Sequence, residues 1–278
     1  MSRIIFAIGG VFFLFAAASG LAQESQPSAP PVPAATRSEI ECTGFIAATR
    51  VPEDIVVFNG EDNPLDDPLR LFTAGEHVFL RNRSGSDVAV GAEFRIVRVA
   101  KEIFRTYRYN KEHSWVHSLG QPYEDVGVVK VTSVTPDALV AQATFTCTPI
   151  LIDDLAIPFQ ARPVPQYTPS AQFDAFALPN GKLIGMITAA KDNLGGLGTR
   201  NIVYVNLGEG DGARVGQKYR IFQIKHDRPR SGLSHLPETP RESIGQLVIL
   251  TTQERSSVGI IVASTGDVFL GDGVELME

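Results

Sequence analysis

The chain has 278 residues and a formal net charge of −6, from 25 basic and 31 acidic side chains. This acidic balance argues against nucleic acid or anionic lipid as the main partner, because both carry negative charge themselves. The length allows two domains with separate cores.

The first 22 residues have the pattern of a cleaved export signal. Arg3 precedes an apolar run from Ile4 to Ala18, which is short for a membrane span. Small residues at Gly20 and Ala22 predict cleavage after Ala22 and a periplasmic or otherwise exported protein. An uncleaved N-terminal anchor is the alternative. The mature chain is expected to contain no transmembrane span.

Proline-rich stretches predict the division of the rest of the chain. Residues 23–38 are interpreted as a disordered spacer and residues 158–172 as a semi-rigid linker. Two β-modules are expected on either side of the linker, at residues 39–157 and 173–278.

The two modules are related by an internal repeat. Three blocks recur in the same order, at offsets of 125, 125 and 118 residues: Val78–Leu80 with Val203–Val205, Val90–Arg98 with Val215–Gln223, and Val126–Val131 with Ile244–Ile249. The shared residues are glycines and β-formers, which set backbone geometry. We therefore predict an all-β fold of two tandem small barrels or sandwiches, with about six strands each.

The start of the repeat is matched differently. Gly44–Ile46 aligns with Gly185–Ile187 at an offset of 141 residues, which places Gly44–Ile46 in the first strand of its module. The larger offset then predicts an acidic insertion in the first module at residues 53–73.

The chain contains two cysteines, Cys42 and Cys147, expected in the first and last strands of the first module. Export favours oxidation, and the terminal strands of a closed barrel are neighbours, so a Cys42–Cys147 disulfide is predicted. A redox or metal-binding thiol pair is the weaker alternative, because the cysteines are far apart in sequence and no histidine cluster accompanies them.

One predicted loop, residues 101–120, combines basic and aromatic residues and includes the only tryptophan of the chain. Arginine beside tyrosine and tryptophan is typical of binding surfaces. The candidate binding residues are Arg105, Tyr107, Arg108, Tyr109 and Trp115. Alternatively, some of these aromatic side chains fold back as a lid on the barrel.

Reactive groups are sparse. His113 and His117 are four residues apart, but they lie in the predicted loop and lack further ligands, so no metal site or cofactor is predicted. A carboxylate pair for polymer hydrolysis could come from the acidic insertion, for instance Asp62 with Asp66 or Asp67. The absence of a recognisable catalytic set predicts a non-enzymatic protein.

The second module resembles the C-terminal domain of flagellar assembly protein T and related β-modules of periplasmic proteins, some of which also carry LysM domains. The resemblance lies in four segments: Asn201–Gly208, Gly212–Ile221, Ile244–Ile249 and Gly271–Val274. It implies a non-enzymatic envelope domain that binds or scaffolds, and it extends more loosely to the first module.

These features together predict an exported interaction or scaffold protein of the bacterial envelope. The expected partner is an envelope protein or peptidoglycan, and an oligomer is possible. Two alternatives stay open: a hydrolase of cell-wall polymer, and a subunit of a ring or pore-like envelope assembly.

Overall fold

A computed structural model of the chain describes residues 29–63, 67, 69–100, 110–170, 174–191, 196–224 and 241–277. The export signal predicted at residues 1–22 lies outside them. Among the described residues, no helix has the length and apolar character that crossing a bilayer requires.

The fold consists of two closed six-stranded β-barrels, which confirms the predicted all-β duplication. The first barrel has the strand order β3-β4-β7-β6-β5-β8, and its strands are β3 (Ile55–Gly60), β4 (His77–Asn82), β5 (Glu93–Val99), β6 (Gln121–Val134), β7 (Leu139–Thr146) and β8 (Leu155–Pro158). The second has the equivalent order β10-β11-β14-β13-β12-β15, with strands β10 (Ile184–Ala190), β11 (Ile202–Val205), β12 (Lys218–Gln223), β13 (Glu242–Thr252), β14 (Ser257–Ser264) and β15 (Gly273–Leu276). Closure pairs the outermost strands, so neither barrel leaves a strand edge open.

Each barrel is filled by its own apolar core. The strands are rich in valine, isoleucine and leucine, whose β-branched and aliphatic side chains suit a pleated, half-buried surface. Val57, Leu80, Ile96 and Val129 are among the fully buried residues of the first barrel. Ile187, Val205 and Leu247 are among those of the second. Each such side chain contributes about 1.5–3 kcal/mol by leaving water.

The predicted start of the repeat is wrong. Val57 and Ile187 occupy equivalent positions, because their amides donate 2.9 Å hydrogen bonds to the carbonyls of Asp154 and Asp272, respectively. This pairing makes β3 the equivalent of β10, at an offset of 130 residues rather than 141. Residues 53–73 are therefore not an insertion, since they contain the barrel strand β3. A match of one glycine and two apolar residues was too short to decide between two candidate strands.

The segment first matched to β10 has a different role. Residues Phe45–Ala47 form β2, a seventh strand that pairs with the beginning of β6 outside the closed barrel. It follows the short helix α1 (Arg37–Glu41), whose N-terminus is capped by Thr36. The side chain of Thr36 accepts from the Glu39 amide and the Glu39 carboxylate accepts from the Thr36 amide, which forms a capping box.

The described part of the predicted spacer is ordered, which corrects the expectation of disorder there. Strand β1 (Val32–Pro33) pairs with β9 (Gln166–Tyr167), which lies in the predicted linker. Ala34 and Ala35 are buried. The linker is also held by Arg162, which donates to the Asp125 carboxylate and to the Thr43 hydroxyl. Two proline-rich segments that each lack a partner in isolation thus become ordered by pairing with one another.

A third apolar core joins the two barrels. It contains residues from the N-terminal segment, from helix α2 (Asn110–Leu119) and from the outer face of the second barrel: Ala34, Ala35, Ile40, Ile46, Val116, Leu119, Ala189, Ile202, Tyr204, Val248, Leu250, Val258 and Ile260. Polar contacts reinforce it, because Ser256 donates to the Ile46 carbonyl at 2.9 Å and Arg200 pairs with Glu39.

The predicted disulfide joins Cys42 to Cys147, with 5.7 Å between the Cα atoms. Its predicted position in the terminal barrel strands is wrong. Cys42 is the C-terminal cap of α1, and Cys147 immediately follows β7. The disulfide therefore anchors the N-terminal segment to the first barrel, in addition to closing a loop within it.

Candidate functional site

The predicted loop at residues 101–120 is in part a helix. Residues 110–119 form α2, and Val116 and Leu119 point into the core between the barrels. The helix ends at Leu119, and the next residue, Gly120, has a φ of +140° and lies so close to the Ala47 carbonyl that an added Cβ would be 2.0 Å from its oxygen. The Leu119-Gly120 pair was the available sequence signal for a helix end, and the helix itself is stabilised by burial against distant strands.

Of the five predicted binding residues, only Trp115 lies among the described residues. Arg105, Tyr107, Arg108 and Tyr109 fall outside them. Trp115 is half-buried on α2, and its ring lies against Gly271 of the second barrel, where an added Cβ would be 3.2 Å from the ring. Trp115 is therefore held between the two modules instead of projecting from a loop tip.

Trp115 forms one wall of a cleft of about 280 Å³ between the modules. Met186 and Thr188 of β10 form the floor, and the polar rim comes from Asn206, Asp211, Glu254 and Arg255. The cleft thus has one aromatic wall and a rim with an amide, two carboxylates and a guanidinium. Ligand sites commonly combine an apolar surface with a few such polar groups.

The polar rim is positioned by backbone hydrogen bonds. The Gly210 amide donates to the Glu254 carbonyl at 3.0 Å, and Gly208 lies so close to that carbonyl that an added Cβ would be 2.2 Å away. The Asp211 carboxylate accepts from the Gly208 amide at 2.9 Å, which holds the turn in place. The two loops that carry Asp211 and Glu254 are therefore fixed relative to one another.

Asn206 is oriented by the backbone of β10. Its side-chain oxygen accepts a 2.7 Å hydrogen bond from the Met186 amide. Within the described part of the chain the amide nitrogen of its side chain donates to no other group, so it remains a donor for a ligand in the cleft. The rim therefore offers both donors and acceptors.

These rim residues could not be found from sequence patterns, because the cleft is assembled from four separate segments of the chain. The one local signal is the run Gly208-Glu209-Gly210-Asp211-Gly212, in which acidic residues alternate with glycines. Such a run predicts a turn with exposed carboxylates. It does not indicate that a tryptophan lies nearby.

The carboxylates considered for hydrolysis are in a different place. Asp62 and Asp67 are exposed in the turn after β3, and Asp66 lies outside the described residues. The Asp67 carboxylate accepts from the Leu69 amide at 2.9 Å, which is a turn-forming contact. Nearby, the hydrogen bond from the His77 ring lowers the pKa of Glu61, whereas a general acid needs a raised pKa.

The two histidines considered as metal ligands lie on α2 with a spacing of four residues. His117 is exposed, and the side chain of His113 lies outside the description. Across the described ranges no group of three or more His, Cys, Asp or Glu side chains is arranged to hold a metal ion.

No protein-family model matches the chain, and no curated protein is significantly similar to it.

Proposed function

We propose that the protein is an exported, non-enzymatic binding module of the bacterial envelope, whose cleft between the barrels takes a fragment of peptidoglycan. The observation that carries this proposal is the position of Trp115 beside the polar rim of Asn206, Asp211, Glu254 and Arg255. The face of an aromatic ring suits the apolar face of a sugar, and carboxylates and amides suit its hydroxyl and acetamido groups.

The fold supports a binding role in a second way. The two barrels share one apolar core and a network of cross-module hydrogen bonds, so both sides of the cleft are held in place before a ligand arrives. A preformed cleft avoids the entropy cost of ordering loops on binding. The disulfide supports an oxidising compartment, as expected for an exported protein.

The test uses the fluorescence of Trp115 in the exported protein, titrated with purified peptidoglycan fragments. Because Trp115 is the only tryptophan, the emission reports on the cleft alone. We expect a saturable change in emission, and a binding constant about tenfold weaker or more in Asp211→Asn, through loss of one charge-assisted hydrogen bond. The matched control is Asp174→Asn, which also removes one carboxylate charge but lies outside the residues lining the cleft.

Calorimetry with Trp115→Phe separates a direct contact from a distant effect on fluorescence, since it needs no fluorophore. Binding of fragments that is unchanged in both Trp115→Phe and Asp211→Asn would contradict the proposal. Turnover of the fragments by the purified protein would contradict its non-enzymatic part.

A further inference from the structure

Asp154 and Asp272 lie at equivalent positions at the ends of the two barrels, 118 residues apart in the repeat. Each carboxylate accepts a 2.8 Å hydrogen bond from the backbone amide three residues earlier, from Leu151 in the first barrel and from Phe269 in the second. The local backbone arrangement is therefore the same in both modules.

The two carboxylates differ in their side-chain partner. In the first barrel the Arg98 guanidinium binds Asp154 with two hydrogen bonds of 2.7 Å, from Nε to Oδ1 and from Nη2 to Oδ2. In the second barrel the equivalent residue is Gln223, whose Nε2 donates to Asp272 Oδ2 at 2.9 Å. Gln223 thus reproduces the Nη2 bond but supplies neither the Nε bond nor the positive charge.

Gln223 also takes over the hydrogen bond that Arg98 makes to a neighbouring backbone carbonyl. Arg98 Nη2 also donates to the Pro149 carbonyl at 2.9 Å, and Gln223 Nε2 also donates to the equivalent Asp267 carbonyl at 3.1 Å. The Gln223 Nε2 atom therefore occupies the position that corresponds to Arg98 Nη2 in the first barrel. In the part of the chain that the structure describes, Asp272 Oδ1 accepts no hydrogen bond and pairs with no cation.

Space is available beside the Asp272 carboxylate. Asp272 lines a cleft of about 530 Å³, whose apolar walls come from Phe222, Ile224 and Phe269. The side chains of Ile224 and Phe269 are 51 % and 46 % exposed, respectively, so a ligand can contact these walls. Among the described residues, the cation that contacts the cleft wall is Arg241, which stacks on the Phe222 ring and pairs with Glu275 rather than with Asp272.

We propose that this cleft binds the guanidinium group of an arginine side chain presented by a partner protein, which pairs with Asp272 Oδ1 as the Arg98 guanidinium pairs with Asp154 Oδ1 in the first barrel. The planar, weakly hydrated guanidinium fits aromatic and aliphatic walls better than a compact, strongly hydrated ammonium does. Asp272 Oδ1 supplies the acceptor for the bond that Gln223 cannot make.

The electrostatics support this assignment. Burial raises the pKa of both carboxyl groups, that of Asp154 and that of Asp272. Arg98 opposes the effect of burial on the pKa of Asp154, whereas the described groups that oppose it at Asp272, the Phe269 amide and the Gln223 side chain, are neutral hydrogen-bond donors. A guanidinium that enters the cleft therefore makes with Asp272 the kind of charge-assisted hydrogen bond that Arg98 makes with Asp154 in the first barrel.

The experiment titrates the full protein with N-acetyl-arginine amide and with its neutral isostere N-acetyl-citrulline amide, and follows backbone amide resonances by NMR. We expect saturable shifts at Gly271, Asp272 and Gly273 with the arginine compound. Binding of the citrulline compound should be about tenfold weaker or more, because it lacks the charge. Equal binding of both compounds would overturn the proposal.

Two variants test the site itself. Asp272→Asn should weaken binding of the arginine compound by about tenfold or more. Gln223→Arg should abolish it, because it installs the guanidinium of the first barrel while keeping Asp272 and the fold. Binding to Gln223→Arg with wild-type affinity would overturn the assignment, whatever the effect of Asp272→Asn on stability.

Two further comparisons define the source of the arginine and the independence of the site. Free L-arginine should bind no better than the blocked compound, and binding more than about tenfold tighter would assign the cleft to the free amino acid instead of a partner protein. Asp211→Asn, in the cleft beside Trp115, should leave the arginine titration unchanged. This comparison therefore tests the arginine site independently of peptidoglycan binding.

Discussion

The hydroxyl of Tyr204, on the second barrel, donates a 2.8 Å hydrogen bond to the carbonyl oxygen of Thr43, in the segment that precedes the first barrel. Both groups are buried. This bond lies in the core shared by the modules and near the disulfide, so it links the anchoring of the N-terminal segment to the docking of the second barrel.

Replacing Tyr204 with phenylalanine tests this link. The change leaves the Thr43 carbonyl buried without its donor, so we expect Tyr204→Phe to lower the free energy of unfolding by about 1–3 kcal/mol. Urea unfolding followed by circular dichroism measures it. Tyr167→Phe is the control, because the Tyr167 hydroxyl makes no hydrogen bond with the described residues, and its effect should stay within about 0.5 kcal/mol. Equal effects of both variants would show that the bond is not a stabilising contact.

Gly44 allows the close approach of the two modules. Its φ is +67°, and an added Cβ would lie 2.7 Å from the Tyr123 carbonyl and 2.8 Å from the Tyr204 hydroxyl. We expect Gly44→Ala to cost about 1–2 kcal/mol from the backbone conformation and about 1–3 kcal/mol more from the collision.

Gly85 provides the matched control for Gly44. Its φ is +66°, and nothing lies within 4 Å of an added Cβ. Gly85→Ala should therefore show only the backbone cost. Thermal unfolding measures both alanine variants. Equal losses of stability would contradict the steric collision expected for Gly44→Ala.

The disulfide should stabilise the first module and the contact between modules together. It closes a loop of 105 residues, and the chain-entropy estimate is about 4–5 kcal/mol. We expect Cys42→Ser with Cys147→Ser to lose about that much in urea unfolding. Addition of a reductant should destabilise the wild-type protein to the same extent and leave the double variant unchanged. Response of the double variant to the reductant would reveal an effect unrelated to the disulfide.

Glu275 should make the second barrel sensitive to acid. Burial alone would raise the pKa of this carboxyl, but hydrogen bonds from Arg241, the Asn180 amide and Arg220 outweigh it and lower the pKa below its ordinary value of 4.5. Because the folded pKa is lowered, the stabilisation is present above the unfolded pKa and is lost as the pH falls through the folded pKa.

The variant Glu275→Gln leaves two largely buried arginines without their carboxylate. We expect it to lose on the order of 3 kcal/mol at pH 7, and the gap to the wild-type protein to narrow below pH 4.5, as measured by urea unfolding across pH. The control is Glu53→Gln, which removes an exposed carboxylate 4.0 Å from Arg83 and should change stability by less than about 1 kcal/mol. A gap independent of pH would contradict the role of the Glu275 charge.

Much of the architecture could be predicted from local patterns. The strands around Val203–Val205 and Leu247–Leu250 are marked by β-branched and aliphatic runs, and the turn glycines Gly91 and Gly216 do have positive φ. These features depend on residues that are adjacent in the chain, so a single sequence contains the information. The pairing of Cys42 with Cys147 was also predictable, because they are the only two cysteines.

The assignment of the first strand could not be made in the same way. Gly44–Ile46 and Ile55–Gly60 are both short apolar segments with strand propensity, and the choice between them depends on which one pairs with β4 and β8. Helix α2 presents the same difficulty, since its Val116 and Leu119 are stabilised by burial against the other barrel.

The sequence by itself determined the duplication, the all-β class and the disulfide partners, because repeated blocks, alternating strand patterns and a single cysteine pair are properties of the chain. The tertiary structure alone decided which segments close each barrel, how the N-terminal segment joins the modules, and which side chains meet Trp115 and Asp272. Those outcomes depend on contacts between residues far apart in the chain, such as Tyr204 with Thr43, whose partners are set by packing in three dimensions.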